Sequence, residues 1–144
     1  MTTFELSEWI AAAPAAVFDF MTDPANAPRV IDSVQRTEKL TDGPLGAGTR
    51  LRETRIVNGQ EAQTELLIEA YQPPHTYVVS AEQSGITVTY RYALRPENDG
   101  TRVQLHADVS SGGLKKLMLP LVAAVMKRED GDHLRKLKTA VEAA

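Results

Sequence analysis

The chain of 144 residues contains no cysteine. Disulfides, thiol nucleophiles and cysteine metal sites are therefore excluded, and the composition fits a reducing compartment. Aromatic residues make up only 6%, with a single Trp. No run approaches the roughly 18 apolar residues that a membrane-spanning helix needs. Lys and Arg are absent from "MTTFELSEWIAAAPAA" at the start, so its Ala-rich part lacks the basic opening of a secretory leader. A cytoplasmic protein with no integral membrane segment is expected. The net charge of −3 comes without a basic stripe, which argues against nucleic acid as a partner. Three scattered histidines show no metal-ligand spacing. "GPLGAG" at 43–48 lacks the Lys and helix of a phosphate loop. No metal and no cofactor are expected.

What is present is alternation. A chain of this length suits one domain, with a core large enough to need no staples. Phe4 to Ile10 alternates weakly and reads as a strand. Pro14 to Thr22 opens with Pro at a helix start and places Val17, Phe18 and Met21 on one face. Asp23, before Pro24, can cap a second short helix. Val34 to Leu40 is a short strand. Long strands then follow at about 49–57, 60–71, 76–83, 86–95 and 101–110. Asn58-Gly59, Ser84-Gly85 and Asp99-Gly100 mark tight turns, and "QPPH" at 72–75 a wider one. Leu114 to Val141 reads as a long helix interrupted by Pro120. The expected class is α+β, an antiparallel meander covered by the only large helix.

The turns fix which way side chains point. A two-residue Asn58-Gly59 loop pairs Val57 with Gln60, Arg55 with Ala62, Glu53 with Thr64 and Leu51 with Leu66. Glu53 and Arg55 then share the covered face with Leu51, Leu66, Ile68 and Ala70, while Arg52 and Glu65 form a cross-strand pair outside. The Ser84-Gly85 turn sets Ala81 against Val88, Val79 against Tyr90 and Tyr77 against Tyr92. The Asp99-Gly100 turn sets Leu94 against Leu105 and Tyr92 against Ala107, with Arg91, His106 and Asp108 facing out. On the helix, Leu119, Val122, Met126, Leu137 and Val141 form one stripe that also holds Asp130 and His133. Arg128, Arg135 and Lys138 point away, and Gly131 sits within the helix at a cost of about 1 kcal/mol relative to Ala.

Several segments together resemble a known family. They are "AAAPAAVFDFMTDPANAPRVI", "GPLGAGTRLR", "YQPPHTYVV", "NDGTRVQLHADV" and "LRKLKTAVE", in family order over nearly the whole chain. The chain resembles the polyketide cyclase/dehydrase-like branch of the START-like (Bet v 1-like, SRPBCC) superfamily. The resemblance implies a helix-grip fold, in which a curved seven-stranded sheet wraps a long C-terminal helix around a cavity. It also implies binding of lipids, sterols, hormones, polyketides or other apolar ligands, with cyclisation or aromatisation in a minority. Where an aromatic commonly follows the "PR" of the family's loop, this chain has Val30.

An apolar inner face with a few polar groups is the make-up of a small-molecule pocket. The candidate ligand-binding residues are Glu53, Arg55, Leu66, Ile68, Tyr77, Val79, Tyr90, Tyr92, Met126, Asp130 and His133. Buried charge must be paired, so Glu53 and Arg55 are expected to meet each other, water or a ligand, inside the cavity or at its mouth. A carrier for a small hydrophobic molecule, lipid- or polyketide-like, is the leading expectation. A cyclase or aromatase is the alternative, with Arg55 stabilising an enolate and Asp130, His133 or a tyrosine moving protons. In a third reading, an exposed apolar patch on the long helix or the sheet edge binds a partner.

Overall fold

The computed structural model describes residues 2–144, with the side chains of all of these but Leu114, Lys115 and Glu129. Strand β1 (Thr2–Ile10) leads into helix α1 (Pro14–Thr22), a 3-10 turn (Pro24–Asn26) and the single-turn helix α2 (Ala27–Val30). Six strands follow: β2 (Val34–Lys39), β3 (Arg50–Val57), β4 (Gln60–Gln72), β5 (Thr76–Gln83), β6 (Ile86–Glu97) and β7 (Gly100–Ser111). A 3-10 stretch (Gly113–Met118) then enters α3 (Leu119–Asp130), and α4 (His133–Ala143) ends the chain. The seven strands form one antiparallel sheet in the order β1-β7-β6-β5-β4-β3-β2. Its edges, β1 and β2, do not meet, so the sheet curves without closing. This is the expected α+β helix-grip arrangement.

The hairpins owe their register to residues that accept a left-handed backbone. Asn58 and Gly59 have φ of 53° and 75°, as a type I′ turn requires. The β3–β4 register is the expected one, with Arg55 facing Ala62 and Glu53 facing Thr64. At the last hairpin the turn lies one residue earlier than Asp99-Gly100. Asn98 and Asp99 carry the positive φ values, 49° and 61°. Leu94 therefore pairs with Val103 and Tyr92 with Leu105. Partners move by two residues, so every side chain keeps its face. Gly100 serves close approach instead: a Cβ there would stand 2.4 Å from the Ile10 carbonyl oxygen and 2.7 Å from the Trp9 ring.

Two other details differ from expectation. The β4–β5 register slips between Ile68 and Ala70, so Tyr71, not Ala70, continues the inner face and packs on Phe18 at a centroid distance of 5.3 Å. On the outer face Glu65 pairs diagonally with Arg50 at 2.8 Å, although Arg52 is its direct neighbour in register.

The core lies where α1, α2 and α4 press on the inner face, with Ile10, Phe18, Ile68, Leu105 and Leu137 fully buried. The C-terminal helix is long but has two segments. Pro120 does not interrupt it; the residue stands in the first turn of α3, where its missing N–H costs nothing. The break falls at Gly131 and Asp132. A Cβ on Gly131 would lie 2.2 Å from the Lys127 carbonyl oxygen, which is why the joint takes glycine.

Candidate functional site

Between the inner face and helices α2 and α3 lies a cavity of about 510 Å³. Helix α4 packs into the main core, while α3 closes the other side of the cavity, with Leu119 and Ala123 buried against Val109 of β7 and Val122, Val125 and Met126 on the cavity wall. The joint at Gly131 and Asp132 sends Asp130 from the end of α3, and His133 from the start of α4, to the cavity wall. Glu53, Arg55, Leu66, Tyr77, Val79, Tyr90, Tyr92 and Met126 also line it. Ile68 does not. It is fully buried in the main core cluster, which includes Phe18, Leu51 and Tyr77, and the core takes up the side chain that the inner face turns inward.

The polar groups gather at one end. Arg55 donates from Nε to Glu53 Oε1 at 2.7 Å and from Nη1 to Asp130 Oδ1 at 3.1 Å and Ser33 Oγ at 3.2 Å. Tyr90 donates to the other oxygen of Asp130 at 2.5 Å. Burial opposes the Arg55 charge, but Glu53 and Asp130 overcome that penalty and hold its pKa above the usual value. The Arg55 and Glu53 side chains are only 23% and 13% exposed, so the pair belongs to the wall and not to a solvated rim.

A second pair lies deeper, where Tyr92 Oη and His133 Nε2 are 3.0 Å apart. Burial lowers the His133 pKa, keeping the imidazole neutral. Its Nδ1 is turned to the Val30 carbonyl without reaching ordinary hydrogen-bond geometry. That orientation places the proton on Nδ1 and makes Nε2 the acceptor from Tyr92. Burial likewise raises the phenol pKa of Tyr77, Tyr90 and Tyr92, and Asp130 adds to the rise at Tyr90, so all three remain protonated donors.

Some of this polar capacity is unspent. Among the described residues, Arg55 Nη2 and the Tyr77 hydroxyl make no hydrogen bond. Thr37 Oγ1, on a residue that also lines the cavity, is buried without a partner. The rest of the wall is apolar, with Leu51, Leu66, Val79, Val88 and Met126 among its members.

Sequence reasoning missed the floor supplied by Thr22, Ala27, Val30 and Ile31. The apolar residues of "APRVI" were the signal, since a one-turn helix has little else to do with them. Val30, at the position where the family commonly has an aromatic, is part of the wall. His75 and His106 stay outside the site. His106 lies on the outer face between Glu5 at 2.9 Å and Asp108 at 2.8 Å, which raise its pKa. Among the described residues no cluster of His, Asp or Glu is arranged to hold a metal ion.

Residues 1–142 match the family described as "Polyketide cyclase / dehydrase and lipid transport". The chain belongs to this family. A comparison with curated proteins finds no match. Among solved structures, Ara h 8.0201 superposes with a TM-score of 0.82 at 20% identity, over 99% of both chains. TTHA0849 from Thermus thermophilus gives 0.78 at 20% identity, over 99% of this chain and 98% of that one. The di-domain ARO/CYC BexL from the BE-7585A biosynthetic pathway gives 0.81 at 18% identity, over 99% of this chain and 47% of that one. At these identities the likeness is one of fold. The family and the Bet v 1-like fold agree with the resemblance seen in the sequence.

Proposed function

We propose that the protein binds and carries a small hydrophobic molecule in the cavity between the sheet and α3. The observation that carries this reading is the wall itself, apolar over most of its extent and polar at one end. A volume of about 510 Å³ lies in the range that holds a drug-sized ligand. Apolar burial supplies affinity, at about 25 cal/mol per Å² removed from water. Orientation comes from donors that have no partner among the described residues: Arg55 Nη2 and the hydroxyls of Tyr77 and Thr37. They call for a ligand whose polar end offers oxygen acceptors, such as a carbonyl, carboxylate or phenol. Native mass spectrometry of the protein purified from its own host tests this. A released mass of a few hundred daltons supports a carrier, and a clean apo mass under gentle ionisation counts against it.

The hydrogen bond from Tyr90 to Asp130 beside Arg55 favours a second, catalytic reading. A guanidinium can stabilise an enolate oxygen while a phenol–carboxylate pair moves a proton. Unchanged turnover of a poly-β-ketone substrate in Arg55→Ala and His133→Ala variants would dismiss it.

A further inference from the structure

Helix α3 and the 3-10 stretch before it leave a set of large apolar side chains in solvent. Leu117 is 82% exposed, Leu121 64%, Met118 53% and Val125 39%. On α3, Leu121, Val125 and Arg128 follow one another along one face at helical spacing. Residues 113–128 contain four cations, Lys115, Lys116, Lys127 and Arg128, and no acid, in a chain whose net charge is −3. Lys116, Lys127 and Arg128 are exposed. Val125 also lines the cavity, next to Val122 and Met126 on the same helix. The exposed set thus reaches the cavity wall through Val125.

We propose that this segment docks the protein on an anionic lipid surface, with the cavity mouth turned toward the bilayer. Aliphatic side chains backed by Lys and Arg are the make-up of an interfacial helix, whose apolar face enters the acyl boundary while its cations meet lipid phosphates. The distribution of charge selects this occupant. A second copy of the chain would bring the exposed Lys116, Lys127 and Arg128 against their own counterparts, and the repulsion opposes a symmetric dimer through this face. Helices α3 and α4 are far too short to insert across the membrane, and among the described residues no helix is long and apolar enough to do so. The segment lies on the surface. Docking rests on these exposed residues alone; passage of a molecule between bilayer and cavity rests in addition on the carrier reading above.

The test is flotation of the full chain with vesicles of phosphatidylcholine alone and of phosphatidylcholine with an equal share of phosphatidylglycerol. Binding is expected only to the anionic vesicles, and to weaken as salt rises from about 0.05 to about 0.5 M, as screening demands. Leu121→Asp and a Lys127→Glu/Arg128→Glu pair should each reduce it at least tenfold. Both change exposed side chains, and an unaltered melting temperature shows that they fold. Absence of binding to anionic vesicles at low salt overturns the proposal. So does equal binding by the variants, or a concentration-dependent dimer that Leu121→Asp abolishes in a protein that ignores vesicles. Occupancy of the cavity by a small probe does not enter this readout, so a failure here leaves the carrier reading standing.

Discussion

Helix α4 buries His133, Leu134, Leu137 and Val141 in the main core, whereas α3 buries only Leu119 and Ala123 of its apolar residues, in a smaller cluster with Val109, and leaves Leu121 and Val125 in solvent. One segment closes a core and the other roofs a space. Their lengths are alike, but α4 alternates apolar residues with Arg and Lys so that one face is polar, whereas α3 is apolar through its first eight residues, Leu119 to Met126. The covering available beneath each differs too. Under α4, Phe18 and α2 fill the ground between helix and sheet, while under α3 only side chains from the sheet rise to meet it. A fold of this kind gains its stability at one end and keeps room for function at the other.

The sharpest way to break this comparison is paired truncation. Leu137→Ala should cost about 2–5 kcal/mol, because it removes a fully buried side chain from close packing. Leu121→Ala should stay within about 0.5 kcal/mol. Urea unfolding measures both, and similar losses at the two sites would show that the outer face of α3 is buried. Next comes the joint between the helices. Asp130→Ala takes from Arg55 and Tyr90 their shared acceptor and should cost about 1–3 kcal/mol. Tyr90→Phe should cost about half that, since Arg55 keeps its three partners, Glu53, Ser33 and Asp130.

A smaller effect follows from His133. Burial lowers its folded-state pKa, while the unfolded chain titrates near the usual value of about 6.5. Below that pH the unfolded state takes up a proton that the folded state refuses, so stability falls as pH drops below about 6.5. His133→Asn should flatten that slope when melting is compared with the wild type across this window. His106 acts in the opposite sense, its raised pKa giving stability that is lost as pH rises, but it is common to both proteins and cancels in the comparison. The smallest change in stability is expected for Tyr77→Phe, whose hydroxyl makes no hydrogen bond among the described residues; a melting shift of more than a few degrees would place that hydroxyl in the core network instead.

Much of the site was legible because hairpin turns fix register and register fixes faces. The Asn58-Gly59 turn alone was enough to place Glu53 and Arg55 on the inner wall, and the helical stripe brought Asp130 and His133 to the same side. Ile68 shows the limit of that reasoning. It has the right face, but the inner face serves both the core and the cavity, and alternation alone does not tell which of the two a residue meets; Ile68 belongs to the core. The β6–β7 pairing differs from expectation by two for a related reason: Asn98-Asp99 forms the turn that Asp99-Gly100 would also allow. Gly131 could be read only as a cost in a helix. In the structure it is the joint that aims the two titratable side chains. The depth of the cavity was not legible, because it depends on how far α3 stands from the sheet.

The account's central claim is that this space takes up an apolar molecule bearing an oxygen. Isothermal titration calorimetry with 2-naphthol, on the wild type and on a Leu66→Trp/Val79→Trp/Val88→Trp variant that narrows the space, tests it most directly. Saturable one-to-one binding by the wild type is expected, and binding at least tenfold weaker by a variant that melts normally. No binding to the wild type, or equal binding by the narrowed variant, would contradict it.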